Sequence, residues 1–459
     1  MLKIDFGLDA AQLSPKIRRL WELSANKVRS IERSADPTKG APVFTVAGQY
    51  TSRGWTEWTQ GFQYGSALLQ FDATDDREFL DLGRRKTLER MAAHLTHAGV
   101  HDHGFNNVST YGNLLRLMNE GRIDYSTWEH EFYTLALRSS GAVQARRWTR
   151  TQDGRGYIYS FNGPHSLFVD TVRTLRSLAL GHQLGHVLME ENDRPISLLE
   201  RLLHHAHNTA SYSVYYGEGR DSYDVRGRVA HESIFNVNDG NYRCPGTQQG
   251  YSPFSTWTRG LAWAMCGFAE LLEFLQYVDD EELEPMGGRE SIEGFMLKAA
   301  RATCDFYIAN VATDGIPFWD TGAPGLRSED LERSADPFND REPVDSSAAA
   351  IAAQGMLRLG HYLRRQEQTG EGIQYWQAGL TVLNALFEEP YLSTSERHQG
   401  LILHSVYHRP NGWDYIPPGR RIPCGESSMW GDYHAREAAL YVQRVARQEA
   451  YLTFALKKH

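Results

Sequence analysis

"VDSSAAAIAAQGMLRL", residues Val344–Leu359, decides how the rest of the chain is read. Ile351, Met356, Leu357 and Leu359 recur at helical spacing, and Ala348, Ala349, Ala350, Ala352 and Ala353 leave no charged face for water. A helix that is apolar on all sides must be buried. Its start is polar but not a surface: Asp345, Ser346 and Ser347 precede the alanines where an exposed helix would carry Lys and Glu. A buried helix with a polar mouth is the pattern to look for elsewhere.

Five other segments share it. They are "GWTEWTQGFQYGSALL", "HDHGFNNVSTYGNLLRL", "SLFVDTVRTLRSL", "QGYSPFSTWTRGLAWAMCGF" and "GESSMWGDYHAREAALYV", with starts near Trp58, Asp102, Asp170, Phe254 and Trp430. Between them run charged amphipathic helices such as "DREFLDLGRRKTLERMAAHL" and "SLLERLLHHAHNTASYS". Repeated units that cannot bury a face alone must stack. Six inner helices alternating with six outer ones predict an all-α chain closed into an (α/α)6 barrel, a toroid of six helical hairpins. The small residues let inner helices approach closely, and their N-terminal ends make one rim favourable to anions. "RGYIYSF" (155–161) and "GLILHSVYH" (400–408) read as short peripheral strands. No Pro/Gly/Ser-rich linker divides the chain, so residues 1–459 read as a single domain.

Composition sets the outer limits. Of 459 residues, 41% are hydrophobic and 23% charged, the proportions of a globular protein with a large core. A net charge of -9 argues against a nucleic-acid partner. Cys244, Cys266, Cys304 and Cys424 form neither a disulfide framework nor a zinc ribbon and suit a reducing compartment. The start lacks a basic and apolar leader and no run reaches membrane-spanning length. The expectation is a cytoplasmic protein with no membrane partner. Eleven Trp and 23 Tyr fit sugar stacking as well as core filling.

Two acids stand out by context. Asp102 in "HDHGF" and Asp170 in "FVDT" sit at the mouths of inner helices among aromatic and apolar residues. A pair of acids facing one cavity is the equipment of a glycoside-cleaving enzyme. An apolar collar around Asp170 would raise its pKa, as a general acid near neutrality needs. The alternative is structural: Asp is a favoured helix cap, and Arg173 at i+3 is placed to pair with Asp170. Capping is the simpler account of Asp345 and Asp432. Histidines offer a competing chemistry, with His94, His97 and His101 at i, i+3, i+7 and His182 and His186 at i, i+4, spacings that suit a metal. The second pair lacks the glutamate of HExxH. No phosphate-binding glycine loop and no GxSxG elbow is present.

The motifs together resemble the unsaturated glucuronyl hydrolases, glycoside hydrolase family 88. "WTQGF" (58–62), "HDHGF" (101–105), "VDTVRTL" (169–175), "QGYSPFSTWTRGLAWAMCGF" (249–268), "DSSAAAIAAQGML" (345–357) and "WGDYHAREAAL" (430–440) occur in order across most of the chain. The resemblance implies a six-hairpin α/α barrel. It also implies removal of a terminal Δ4,5-unsaturated uronic acid from oligosaccharides made by polysaccharide lyases, by hydration of the enol-ether double bond. Carried over by residue, it makes Asp170 the general acid/base and Asp102 the second essential acid. Trp58 becomes a stacking platform, and His101, His231, Gln249, Arg259 and Trp263 become sugar-site residues, with Arg259 taking the uronate carboxylate through its fork. No metal or organic cofactor is implied. Thr171, Arg173 and Arg176 depart from the Asn and apolar residues that commonly follow this Asp, and Gln248 stands where the family often has His. An Arg173 pointing into the cavity would lower the Asp170 pKa.

Two other classes compete with the hydrolase. An N-acylglucosamine 2-epimerase-like enzyme shares the toroid but works through histidine pairs. A non-catalytic saccharide-binding protein would keep the aromatics and have no use for both acids.

Overall fold

Inner and outer helices alternate along the chain as the sequence predicts. The structure, a computed structural model, describes residues 1–54 and 58–454; Trp55, Thr56 and Glu57 of "GWTEWTQGFQYGSALL" lie outside the described residues. The outer helices are Ser14–Ser34, Arg77–Arg90, Thr127–Arg146, Leu198–Asn208, Gly288–Asn310 and Thr369–Leu386. The inner ones are Gln60–Thr74, the broken run from His103 to Asn119, the pair Thr171–Thr174 and Arg176–Gln183, then Thr258–Leu275, Ser346–Arg365 and Met429–Ala446. Each inner helix packs on the next, and Met429–Ala446 closes the ring on Gln60–Thr74.

Burial separates the two rings. Every residue from Ser346 to Gly360 is buried, as is every one from Thr258 to Leu272. The outer helix Arg77–Arg90 buries only Phe79, Leu80, Gly83 and Thr87. The inner seams are tighter than alanine allows in places. A Cβ on Gly104 would stand 2.2 Å from the Thr174 carbonyl oxygen, and one on Gly61 would stand 2.3 Å from that of Asn106. "HDHGF" and "TQGF" thus carry their glycines because neighbouring backbones touch there.

The end of the barrel away from the polar mouths is closed by buried charge. Arg173 Nε meets Glu270 at 3.0 Å and its Nη2 meets Glu437 at 3.1 Å, while Arg358 reaches Glu270 and Glu273. Arg173 therefore turns away from Asp170 and is neutralised below it; the i+3 pairing open to it in the sequence is not made. Residues 451–454 run along the same end: Tyr451 packs under Arg116 and Arg358, Leu452 N donates to Glu120, and Phe454 meets Phe274.

The strands depart from expectation. Residues 156–158 pair with 148–150, but 400–408 form no ladder, only an isolated bridge between Leu392 and Ile402. Ser166–Phe168, read as part of a helix-like run, is a strand in a three-stranded antiparallel sheet with Glu232–Phe235 and Tyr242–Gly246. This sheet is not peripheral to the chemistry, because it delivers Asp170 and His231 to the mouth of the barrel. A strand of three residues, Ser-Leu-Phe, leaves no period to detect.

Candidate active site

Asp102 and Asp170 both occupy the residue before a helix, and neither spends its side chain on capping. Asp102 precedes His103–Asn106 and Asp170 precedes Thr171–Thr174, with no side-chain cap bond at either. Asp345 shows the contrast: its carboxylate accepts from Ser347 N and caps Ser346–Arg365. Asp432 does not cap its helix, since Ser428 does that; it accepts from Leu401 N, Ile402 N, Tyr50 and Ser427 instead. The two uncommitted acids are the two singled out by context.

Between them stands His101. Its Nε2 is 3.6 Å from Asp102 Oδ1 and 3.7 Å from Asp170 Oδ1, ion-pair contacts longer than a hydrogen bond. The ring lies between Phe161 and Phe168, and its backbone oxygen accepts from Gln144 and Thr174 at 2.8 Å each. His101 is thus pinned by backbone and packing while its Nε2 faces the acids.

These contacts overturn one expectation. Burial is the largest influence on Asp170 and pushes its carboxyl up, but the contact with His101 and the charge of that ring outweigh it, so the group sits below its usual value. The apolar collar does not keep Asp170 protonated in the free protein. Asp102 moves the other way, raised to about 6 by burial and by Asp170 against the pull of His101. Burial lowers His101, and the two carboxylates raise it by more.

The sheet positions His231. Val169 N donates to His231 O at 3.0 Å, so the pairing that ends at Phe168 and Glu232 sets His231 beside Asp170. Its ring rests on Phe168 and Trp257, 4.4 and 4.7 Å away, and Nδ1 accepts from Gln248 N at 3.0 Å, leaving the proton on Nε2. Burial pushes its pKa down to about 4, so the ring is neutral. Gln248, noted as a departure, contributes its backbone to this bond.

Trp58, His101, Asp102, Asp170, Gln249, Arg259 and Trp263 line one cavity with Phe161, Trp257, Tyr407 and His408. His231 stands in the wall behind Asp170. Trp58 stacks on Trp430 at 4.9 Å, and Trp263 packs on Phe105 at 4.7 Å. Arg259 is placed differently from the sequence reading. Its Nη1 donates to Asp345 Oδ2 and Val406 O, and its Nη2 donates to Gln249 Oε1 and Tyr407 O. The fork is already filled, and its geometry holds Gln249 and the Tyr407 loop.

Sequence reasoning missed Phe161, Trp257, Tyr407 and His408. Trp257 lies within the longest matched motif, two residues before Arg259, and that spacing is the signal for it. Tyr407 and His408 are on the segment read as a strand. It is a loop because Asp414 accepts from both of their backbone nitrogens. Of the histidines considered for metal binding, His94 contacts Gln60 and Asn106, His101 faces Asp102 and Asp170, and His182 pairs with Glu282. Among the described residues no group of three His, Cys, Asp or Glu side chains is arranged to hold a metal, and no helix is long and apolar enough to cross a membrane.

Comparison with known proteins agrees with this architecture. The unsaturated glucuronyl hydrolase of Bacillus sp. (strain GL1) is 24% identical over 406 residues, covering 87% of this chain and 89% of that protein. The chain is similar to the unsaturated glucuronyl hydrolases over most of its length. The unsaturated chondroitin disaccharide hydrolase of Streptococcus agalactiae serotype III is 22% identical over 84% of this chain and 81% of its own. The crystal structure of the Bacillus sp. GL1 unsaturated glucuronyl hydrolase superposes with a TM-score of 0.68 at 22% identity, covering 93% of this chain and 97% of that one. An unsaturated glucuronyl hydrolase specific for heparin gives 0.70 at 18%, over 95% and 98%. No family model matches the chain. The fold is the unsaturated glucuronyl hydrolase α/α barrel.

Proposed function

We propose that the protein removes the terminal Δ4,5-unsaturated uronic acid from lyase-generated oligosaccharides by hydrating its enol-ether double bond, the whole chain serving as one catalytic unit. One observation carries this reading. Two buried carboxylates at helix starts, neither used as a cap, meet the same imidazole in a cavity walled by indoles.

In this reading Asp170 protonates C4: the π electrons of the double bond form the new C4–H bond and leave a cation shared between C5 and the ring oxygen. Water adds at C5 and gives its proton back to Asp170, so the acid is regenerated. The resulting hemiketal opens and releases the remaining saccharide. Asp102, ionised above about pH 6, accepts hydrogen bonds from ring hydroxyls. Trp58 and Trp263 supply apolar faces for the ring, and Gln249, its oxygen taken by Arg259, has its amide NH2 to offer the uronate. Arg259 supports the site by holding Gln249 and the Tyr407 loop. Four free cysteines fit work in the cytoplasm.

The test is loss of the ultraviolet absorbance of the conjugated enol ether when the protein meets unsaturated disaccharides, sulfated and unsulfated. An epimerase leaves that chromophore intact, and a binding protein leaves it intact at every enzyme concentration. Either result removes the hydrolase reading.

A further inference from the structure

We propose that His101 stocks the proton that Asp170 delivers: in the free protein its imidazolium lies between the two carboxylates, and uronate binding moves that proton from Nε2 to Asp170. This rests on the reaction proposed above and adds the source of its proton.

The geometry is specific. His101 is 1% exposed, and Nε2 addresses both acids at nearly equal distance. Neither ring nitrogen has a hydrogen-bond partner in the protein, nor has Asp170 Oδ1. A buried histidine kept only for packing would have its nitrogens satisfied, as His103 does through Ser140 and His97 O. Here the ring is fixed by Phe161, Phe168 and its own backbone while its Nε2 is left to the acids.

The groups that set its charge come from every neighbouring element. Asp102 lies on its own segment and Asp170 at the next inner helix. Arg147 follows the outer helix Thr127–Arg146, His205 is on Leu198–Asn208, and His231 precedes the strand Glu232–Phe235. Arg147 opposes a positive ring; the two carboxylates favour it and prevail. His205 and His231 are neutral, pushed down to about 3 and about 4 by burial.

Substrate supplies the drive. A sugar ring filling the cavity removes what solvent exposure Asp170 still has, 8%, from an ion pair whose members stand 3.7 Å apart without a good hydrogen bond. Such a pair cannot recover its lost hydration by mutual attraction. Transfer cancels both charges: the Nε2–H bond breaks, an O–H bond forms on Asp170, and His101 is left neutral with its proton on Nδ1. No electrons are exchanged and the net charge of the site is unchanged.

The experiment follows His101 by nitrogen NMR in histidine-labelled full-length protein, assigned through the signal lost in His101→Gln. Methyl β-glucuronide, a saturated uronate, is the probe, at concentrations that fully inhibit turnover. The expected result is an imidazolium at pH 7 in the free protein and a neutral ring when the probe is bound. In Asp170→Asn the probe no longer changes the charge of the ring, because its acceptor is gone. The wild-type kcat/KM should fall tenfold per pH unit above the His101 midpoint, and in His101→Gln this limb should leave that midpoint. A ring neutral at pH 7 in the free protein, a ring still charged in the wild-type complex, or an unchanged pH profile in His101→Gln with only KM raised overturns the inference. Failure of the reaction itself reads differently, as an enol-ether chromophore that the wild type never consumes.

Discussion

Arg259 Nη2 donates to Gln249 Oε1 at 2.9 Å while Nη1 of the same side chain meets Asp345 Oδ2 at 3.0 Å. One buried guanidinium therefore ties a cavity residue to the cap of the inner helix Ser346–Arg365. Lysine keeps the charge but cannot reach both partners in fixed directions. Arg259→Lys should raise KM for an unsaturated disaccharide more than it lowers kcat, since Gln249 loses its orientation. Arg259→Met should instead lower stability by about 3–5 kcal/mol, the cost of an uncompensated buried charge at Asp345. Steady-state kinetics and thermal unfolding separate the two effects.

Asp170→Asn keeps the shape of the side chain and removes its acid. The fold should survive, because Asp170 makes no cap bond and Arg173 pairs elsewhere. Turnover should fall by about 10²–10⁴-fold, the usual contribution of a general acid. Circular dichroism together with the decay of enol-ether absorbance tests both halves. Activity retained in a folded variant would remove Asp170 from the mechanism.

Asp102 makes a pH-dependent prediction. Its folded pKa of about 6 lies above its ordinary 3.8, so the folded protein holds this proton more tightly than the unfolded chain. Stability from this group is present below about pH 4, is lost as pH rises toward 6, and stays lost above it. Asp102→Asn should therefore raise the unfolding free energy at pH 7–8, by about 2–3 kcal/mol if the whole shift is released. The gain should vanish near pH 4. Unfolding curves at both pH values measure it, and loss of activity should accompany the gain in stability.

The six polar mouths were legible because each breaks the rule that a helix begins on a charged surface, and the barrel followed from their alternation with amphipathic helices. Asp102 and Asp170 stood out for the same reason. Their protonation was not legible, since it depends on His101, whose ring reaches both acids only after two inner helices come together. Arg173 was ambiguous for a related reason: its partners Glu270 and Glu437 are far away in sequence, and no local pattern names them. Tyr407 and His408 were hidden because a loop braced by Asp414 reads locally like a strand.

The cluster below the site gives a test of stability that leaves the acids alone. Glu437 is pulled upward by burial, but Arg173, Arg176, His434 and Arg358 hold it well below the usual carboxylate range. A depressed pKa contributes stability that is present above the ordinary carboxylate range and is lost as pH falls through the folded value. Glu437→Gln should lower stability by about 3–5 kcal/mol at neutral pH, because Arg173 and Arg176 lose a buried counter-charge. The difference from wild type should shrink in acid, as measured by denaturant unfolding between pH 3 and 7.

Gly104 ties the packing of the barrel to its chemistry. A Cβ there would lie 2.2 Å from Thr174 O, 2.6 Å from its Cα and 2.7 Å from its carbonyl carbon, all backbone atoms that cannot turn aside. Gly104→Ala must therefore push the start of His103–Asn106 away from Thr171–Thr174, and these two helix starts carry Asp102 and Asp170. Thr174 also donates to His101 O, so the imidazole shifts with them. Overpacking of this kind costs about 1–3 kcal/mol, which a barrel with so large a core should survive. Activity should fall much further than stability, by more than tenfold in kcat, because a displacement of about 1 Å at reacting groups costs on the order of 10²-fold. Parallel measurement of thermal unfolding and of enol-ether loss decides it; a variant as active as the wild type would show that the spacing of the two acids does not depend on this backbone contact.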